Sequence, residues 1–277
     1  MKFALRRMTF IAISFSSLAI VAGFGHASAP VSNWSLEPSS TSCLISRTYG
    51  SAQSPTLIGM KAMPEGDGIQ LAIIRPAYRM QVDQSPAELV AGGVTIETSA
   101  LSYPVGERDR RSANLINLAA DQVALVRKAT TLKATTLSVR ITASTHEEFD
   151  LGAMADAWAS LDSCTQKLRD AWNVENQMGR IVSPAEAIVP LRSLFSSDDY
   201  PSDAVRENQS GMVVVRLLID EAGAVKDCTL VQMSGIAMLD LRSCGIIMRR
   251  AKFKPATDSQ GRPVKSSTSQ KLVWRLS

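Results

Sequence analysis

Hydrophobic positions follow three different patterns along the chain. The first is a run, Met8–Gly25, largely apolar and without a charge, behind Lys2, Arg6 and Arg7. A positive start, an apolar stretch and the small residues Ala27, Ser28 and Ala29 predict an export signal over 1–29, with cleavage after Ala27 or Ala29. The run also approaches the length of a bilayer span, so a retained inner-membrane anchor is the alternative.

The second pattern fills 30–172 and is mainly period two, which predicts a β-rich domain. Strands are expected at Thr41–Tyr49, Thr56–Met60, Gly68–Ile74, Gly93–Thr98 and Leu132–Thr142. Breaker-rich stretches such as Met63-Pro64-Glu65-Gly66-Asp67-Gly68 separate several of them. Leu115–Lys128 reads as a short helix. After Phe149 the period changes: Leu151, Met154, Trp158, Leu161, Leu168 and Trp172 form one apolar stripe of a closing helix, with Cys164 on the same face. Residues 173–199, with Gly179, Pro184, Pro190 and Ser196-Ser197-Asp198-Asp199, read as a linker.

The third pattern, 200–277, alternates between the two periods. A short helix is expected at Pro201–Asn208, then strands at Met212–Asp220 and Val225–Met233 joined by the turn Glu221-Ala222-Gly223. A helix follows, with Leu241, Cys244, Met248 and Ala251 on one side and Asp240, Arg242, Arg249 and Arg250 off it. Pro255 ends that stretch because proline cannot continue a helix. From Ser267 to Ser277 the chain alternates, with Leu272, Trp274 and Leu276 inward and Lys271, Val273 and Arg275 outward. The fold class is therefore α+β: an αββαβ module with a three-stranded antiparallel sheet, preceded by a β-rich domain closed by a C-terminal helix.

Composition narrows the chemistry. The chain has 277 residues, a net charge of +4 and a 45% hydrophobic fraction. That mild basicity lacks the concentrated basic face that nucleic acid requires. Its only histidines are His26 and His146; the second is expected at the surface or at a helix start, and no zinc pair forms. Neither a P-loop, GxGxxG nor GxSxG occurs, so no cofactor is expected and the chain reads as a non-enzyme. The four cysteines, Cys43, Cys164, Cys228 and Cys244, suggest two disulfides in an oxidising compartment. Three connectivities are open, as are four free buried thiols; proximity favours Cys228–Cys244 and Cys43–Cys164. No CxxC occurs.

Several spaced motifs of the last segment resemble a known family. Tyr200-Pro201, Gly211, Ile219-Asp220, Gly223, Ser234-Gly235, Leu239-Asp240, Phe253-Lys254-Pro255-Ala256, Gly261-Arg262-Pro263-Val264 and Trp274 stand in the order found in the C-terminal domain of TonB-type energy transducers. Cys228 and Cys244 resemble its disulfide-containing variant. The resemblance implies a periplasmic domain that docks an extended segment of an outer-membrane receptor, or of another envelope protein, by strand addition in TonB-dependent transport. The implied edge is Ser267, Thr268, Ser269, Gln270, Lys271, Leu272, Val273, Trp274, Arg275 and Leu276. A retained anchor would add contact with an inner-membrane motor complex. From Tyr200 onward twelve Lys/Arg stand against seven Asp/Glu, a net of +5, which would steer an acidic or mixed acidic–apolar peptide. Two family features are absent. His26 has Ala22, not serine, four residues before it, and a folded domain replaces the Pro-rich spacer. The alternative is thus a soluble periplasmic structural or assembly adaptor without energy transduction.

Overall fold

A computed structural model describes residues 27–76, 82–106, 111–131, 135–141, 145–174 and 179–276. The expected export segment as far as His26 lies outside them, as do Leu132, Lys133, Ala134, Thr142 and Ser277. Among the described residues no helix is long and apolar enough to cross a membrane.

The first domain is a single antiparallel sheet of nine strands. These are β1 (Ser35–Pro38), β2 (Cys43–Ser51), β3 (Ser54–Ala62), β4 (Ile69–Arg75), β5 (Asp83–Ala91), β6 (Val94–Val105), β7 (Arg111–Leu118), β8 (Thr136–Ile141) and β9 (Thr145–Asp150). Their order is β1-β2-β3-β4-β7-β6-β5-β8-β9. The sheet curls until its ends meet: Ser28 bridges Phe149 of β9 while Pro30 bridges Tyr49 of β2. Tyr49 reinforces the seam, donating its hydroxyl to the Asp150 carbonyl at 2.9 Å and meeting Phe149 edge-on at 5.2 Å. Burial pushes the Tyr49 phenol up to about 12.

Two helices, α1 (Ala120–Thr130) and α2 (Ala155–Ala171), lie against the sheet. Leu161, Trp158 and Met154 join Ile45, Leu71, Leu89 and Ile116 in one core, which is filled. Cys164 of α2 is bonded to Cys43 of β2. Arg127 pairs with Asp162 at 2.6 Å and lies over Trp158, tying α1 to α2.

The expected helix Leu115–Lys128 is corrected. Its first part is the end of β7, and the helix starts only at Ala120. Leu115, Leu118 and Val126 mimic a helical stripe. In the structure Arg111–Leu118 lies between β4 and β6, where the ladder satisfies its backbone from both sides. Strands β1, β5, β7 and β9 went unforeseen. His146 is exposed, as expected, but sits on β9 and not at a helix start.

The C-terminal module holds α3 (Ser202–Arg206), β11 (Gly211–Ile219), β12 (Val225–Gln232), α4 (Ala237–Arg250) and β16 (Ser266–Trp274). Its sheet runs β12-β11-β16, antiparallel throughout. Gly223 closes the β11–β12 turn at φ +77°; a Cβ there would fall 1.8 Å from the Phe253 carbonyl oxygen, so only glycine fits. Cys228 and Cys244 form the second disulfide, between β12 and α4.

The expected buried stripe of α4 needs correction. Ala251 is buried and Cys244 is bonded to the sheet, as expected, but Leu239, Ser243, Ile246 and Ile247 form the rest of the buried face, while Met248 is exposed. Asp240, expected outside, is fully buried and accepts from the Ser234 amide at 2.8 Å. The helix is turned because Trp274 Nε1 seeks the Ser243 hydroxyl, 2.9 Å away, in the middle of the core.

The segment expected as a linker is largely built into the module. A strand β10 (Glu186–Ala187) pairs with β13 (Phe253–Lys254), Ser183 bridges Thr257, and Leu191 is buried in the module's core. A small hairpin, β14 (Ala256–Thr257) and β15 (Pro263–Val264), completes the module.

Candidate functional site

The site implied by the sequence is the outer edge of β16, and its geometry follows from the alternation of that strand. Nine residues pair with β11, from Gly211↔Trp274 to Ile219↔Ser266. Arg275 and Leu276 lie beyond the paired strand, and Ser266 extends it at the other end. Leu272 and Trp274 are buried against α4, whereas Val273, between them, is 52% exposed. Among the described residues β16 has no neighbour on its other side, so a row of backbone donors and acceptors stands open.

The opposite edge of the same sheet is occupied. Asn117, on β7 of the first domain, donates Nδ2 to the Leu230 carbonyl of β12 at 3.3 Å. Gln84 of β5 reaches Met233. A cavity of about 180 Å³ separates the two domains there, lined by Lys61, Gln70 and Leu115 on one side and Cys228, Leu241 and Cys244 on the other. The outer face of the module's sheet is also partly covered: Leu218 is buried against Trp172 and Val174, at the end of the first domain.

Phe195, which the sequence placed in a linker, and Tyr200, the first residue of the expected module, shape the open edge. Phe195 and Tyr200 meet Trp274 edge-on at 5.1 and 5.2 Å. With Arg192, Lys271, Val273 and Arg275 they line a groove of about 510 Å³ beside the last turn of β16. Arg250, on α4, holds this wall in place. It forks onto both carboxylate oxygens of Asp199, at 2.5 and 2.8 Å, and donates to the Leu194 carbonyl. That hydrogen bond, with the Ser196 amide, keeps the Asp199 carboxyl well below the usual range. The spacing Ser196-x-x-Asp199 is a capping-box signature and was the available clue that this stretch is ordered.

The groove is cationic, with Arg192, Lys271 and Arg275 and no carboxylate along it. At the other half of the edge a second cleft, of about 390 Å³, opens beside Ser267, Thr268 and Ser269. Among the described residues no His, Cys, Asp or Glu group has the arrangement of a metal site.

Comparison with known proteins agrees with this geometry at the C-terminal end. No curated protein matches the chain. A family model does match, over residues 197–276: the Gram-negative bacterial TonB protein C-terminal. The match spans 80 of 277 residues and begins at the 3-10 turn that carries Asp199, ending two residues past β16. The C-terminal segment of this chain is thus similar to the TonB C-terminal domain.

Proposed function

We propose that this is an exported cell-envelope protein which docks an extended segment of an outer-membrane receptor, or of another envelope protein, as a fourth strand on the edge of β16. It is read as a binding protein and not an enzyme. The observation that carries the proposal is the asymmetry of the sheet: the β12 edge is taken by the first domain while the β16 edge is open and flanked by a groove. Backbone pairing gives such a complex its affinity, and the groove beside Val273 and Trp274 gives it side-chain preference. Binding of receptor N-terminal peptides to the full chain tests it. N-methylation of alternate peptide amides should abolish binding, because it removes the donors that a strand must supply. Val273→Pro in the protein should weaken it as well. Binding that survives both changes, or no binding to any envelope partner, would sink the reading.

A second reading is favoured by one observation. Asn117, Trp172 and Val174 hold a folded domain against the module, where a transducer of this family has an extensible spacer. That suits a soluble adaptor without energy transduction. The mass of the mature protein separates the two: Met1 retained supports an anchored transducer, and a new start at Ser28 or Pro30 supports the adaptor.

A further inference from the structure

The seam that closes the nine-stranded sheet is made by the first residues behind the apolar run of the expected export signal. Ser28 donates its amide to the Glu148 carbonyl at 2.8 Å and accepts from the Asp150 amide at 3.2 Å, which lays it alongside Phe149 of β9. Two residues on, Pro30 bridges Tyr49 of β2, and the Val31 amide donates to the Thr48 carbonyl at 2.9 Å. Ser32 continues the hold: its hydroxyl accepts from the Thr48 amide and its carbonyl from Arg47 Nε. Strands β1 and β9 are the two ends of the strand order and do not pair with each other. Among the described residues, Ser28 therefore makes the only backbone link between β9 and the far end of the sheet. The side chains of Tyr49, Arg47 and Trp34 reach the Asp150 and Leu151 carbonyls, but not the Asp150 amide.

We propose that the chain is cut between Ala27 and Ser28, and that the new terminus is itself the residue that closes the sheet. The proposal rests on the exported reading of the chain and not on strand docking at β16. Two small residues, Gly25 and Ala27, stand third and first before that bond, which is the pattern a leader peptidase takes. The other candidate cut, after Ala29, would put Pro30 directly behind the bond, where a fixed ring and a missing N–H fit a peptidase poorly. It would also discard Ser28, and with it both hydrogen bonds to β9, leaving the outer side of that strand without a backbone partner. A cut before Ser28 loses neither bond. The new α-ammonium keeps the nitrogen's place opposite the Glu148 carbonyl, and a charged donor makes that bond stronger than a neutral amide does. The Asp150 amide keeps its acceptor, because the Ser28 carbonyl is untouched. Cleavage there removes the whole apolar run Met8–Gly25 and spares every residue of the seam.

Two experiments separate the cut from its structural role. The full-length gene is expressed in a Gram-negative host, and each cell fraction is read by intact mass and N-terminal sequencing. A start at Ser28 in the periplasmic fraction is expected, and Ala29→Leu, which spoils only the later bond, should give the same start. A start at Pro30, or processing that Ala29→Leu blocks, overturns the site. Met1 retained in the membrane fraction overturns the site and leaves export standing; Met1 retained in the cytoplasm overturns both. None of these outcomes bears on docking at β16. For the seam, disulfide-bonded chains beginning at Ser28 and at Pro30 are compared by amide hydrogen exchange. The Asp150 amide should exchange about tenfold faster or more in the chain beginning at Pro30, since its acceptor is gone. Ser28→Ala, which keeps the backbone, should leave that rate unchanged. Equal protection of Asp150 in the two chains, or the same loss in Ser28→Ala, overturns the role of the Ser28 backbone in the seam.

Discussion

Adjacent residues on β16 have opposite fates, and the contrast is measurable. Trp274 is 5% exposed, bonded through Nε1 to Ser243 and boxed by Phe195 and Tyr200; Val273 faces solvent. Trp274→Ala should cost about 3–5 kcal/mol in urea unfolding, by loss of burial and by the cavity left behind. Val273→Ala should stay within about 0.5 kcal/mol. Equal losses at the two positions would contradict the alternation. Glu65 gives a pH signature of its own. Its folded value of about 7 lies above the 4.5 of an ordinary glutamate, so the folded state holds the proton more tightly. Below pH 4.5 both states are protonated and the residue costs nothing; as pH rises to 7 the unfolded chain ionises first and stability falls. Glu65→Gln should remove this decline and gain roughly 2–3 kcal/mol at pH 8, with little change at pH 4. Thermal melts across that range decide it. The period-two pattern of β16 made Trp274 and Val273 legible in the sequence. Glu65 was not, because its environment is made by Asp227 and Arg216, some 150 residues further along the chain.

Among the elements, strands β2, β3 and β4 and both strands of the β11–β12 hairpin stood out in the sequence because each alternates cleanly or is bounded by breakers. The helix α4 was found, but of its expected stripe only Cys244 and Ala251 pack inward. Leu241, Cys244 and Met248 look like the apolar stripe, yet the sheet selects Leu239, Ser243, Ile246 and Ile247, with the polar Ser243 retained for Trp274. Leu241 instead faces the cavity between the domains, while Cys244 borders that cavity and is bonded to β12. The central strand β7 was hidden because its apolar residues continue into α1 without a break, and only pairing on both sides tells them apart. Disulfides act at this scale. Cys228–Cys244 closes a separation of 16 residues and should contribute about 3 kcal/mol; Cys43–Cys164 closes 121 and should contribute about 4–5 kcal/mol. Paired serine replacements, compared by urea midpoint, should therefore rank the longer loop as the more damaging. The reverse order would show that the unfolded chain is already compact in the first domain.

At the scale of the whole molecule, the edge Ser267–Leu276 was named only through the family resemblance, and the contact of the two domains that covers the opposite edge was not legible in the sequence. That contact depends on side chains such as Asn117 and Trp172 meeting β12 and Leu218 across more than 40 residues of intervening chain. Their effect is that, among the described residues, only the β16 edge of the module's sheet is free, so a segment docked as proposed has one place to go. The bond between Cys43 and Cys164 acquires a mechanical meaning in such an arrangement. If tension enters near the N-terminus and leaves through β16, it crosses from Cys43 to Cys164 through sulfur and bypasses the 121-residue separation between them. At about 3.4 Å per extended residue, some 400 Å of contour length is locked away from the load. Stretched end to end, the chain should unravel shorter by that amount than a variant in which Cys43 and Cys164 alone are replaced by serine. The first domain would then act as a stiff coupling, passing tension on while most of its strands never feel it.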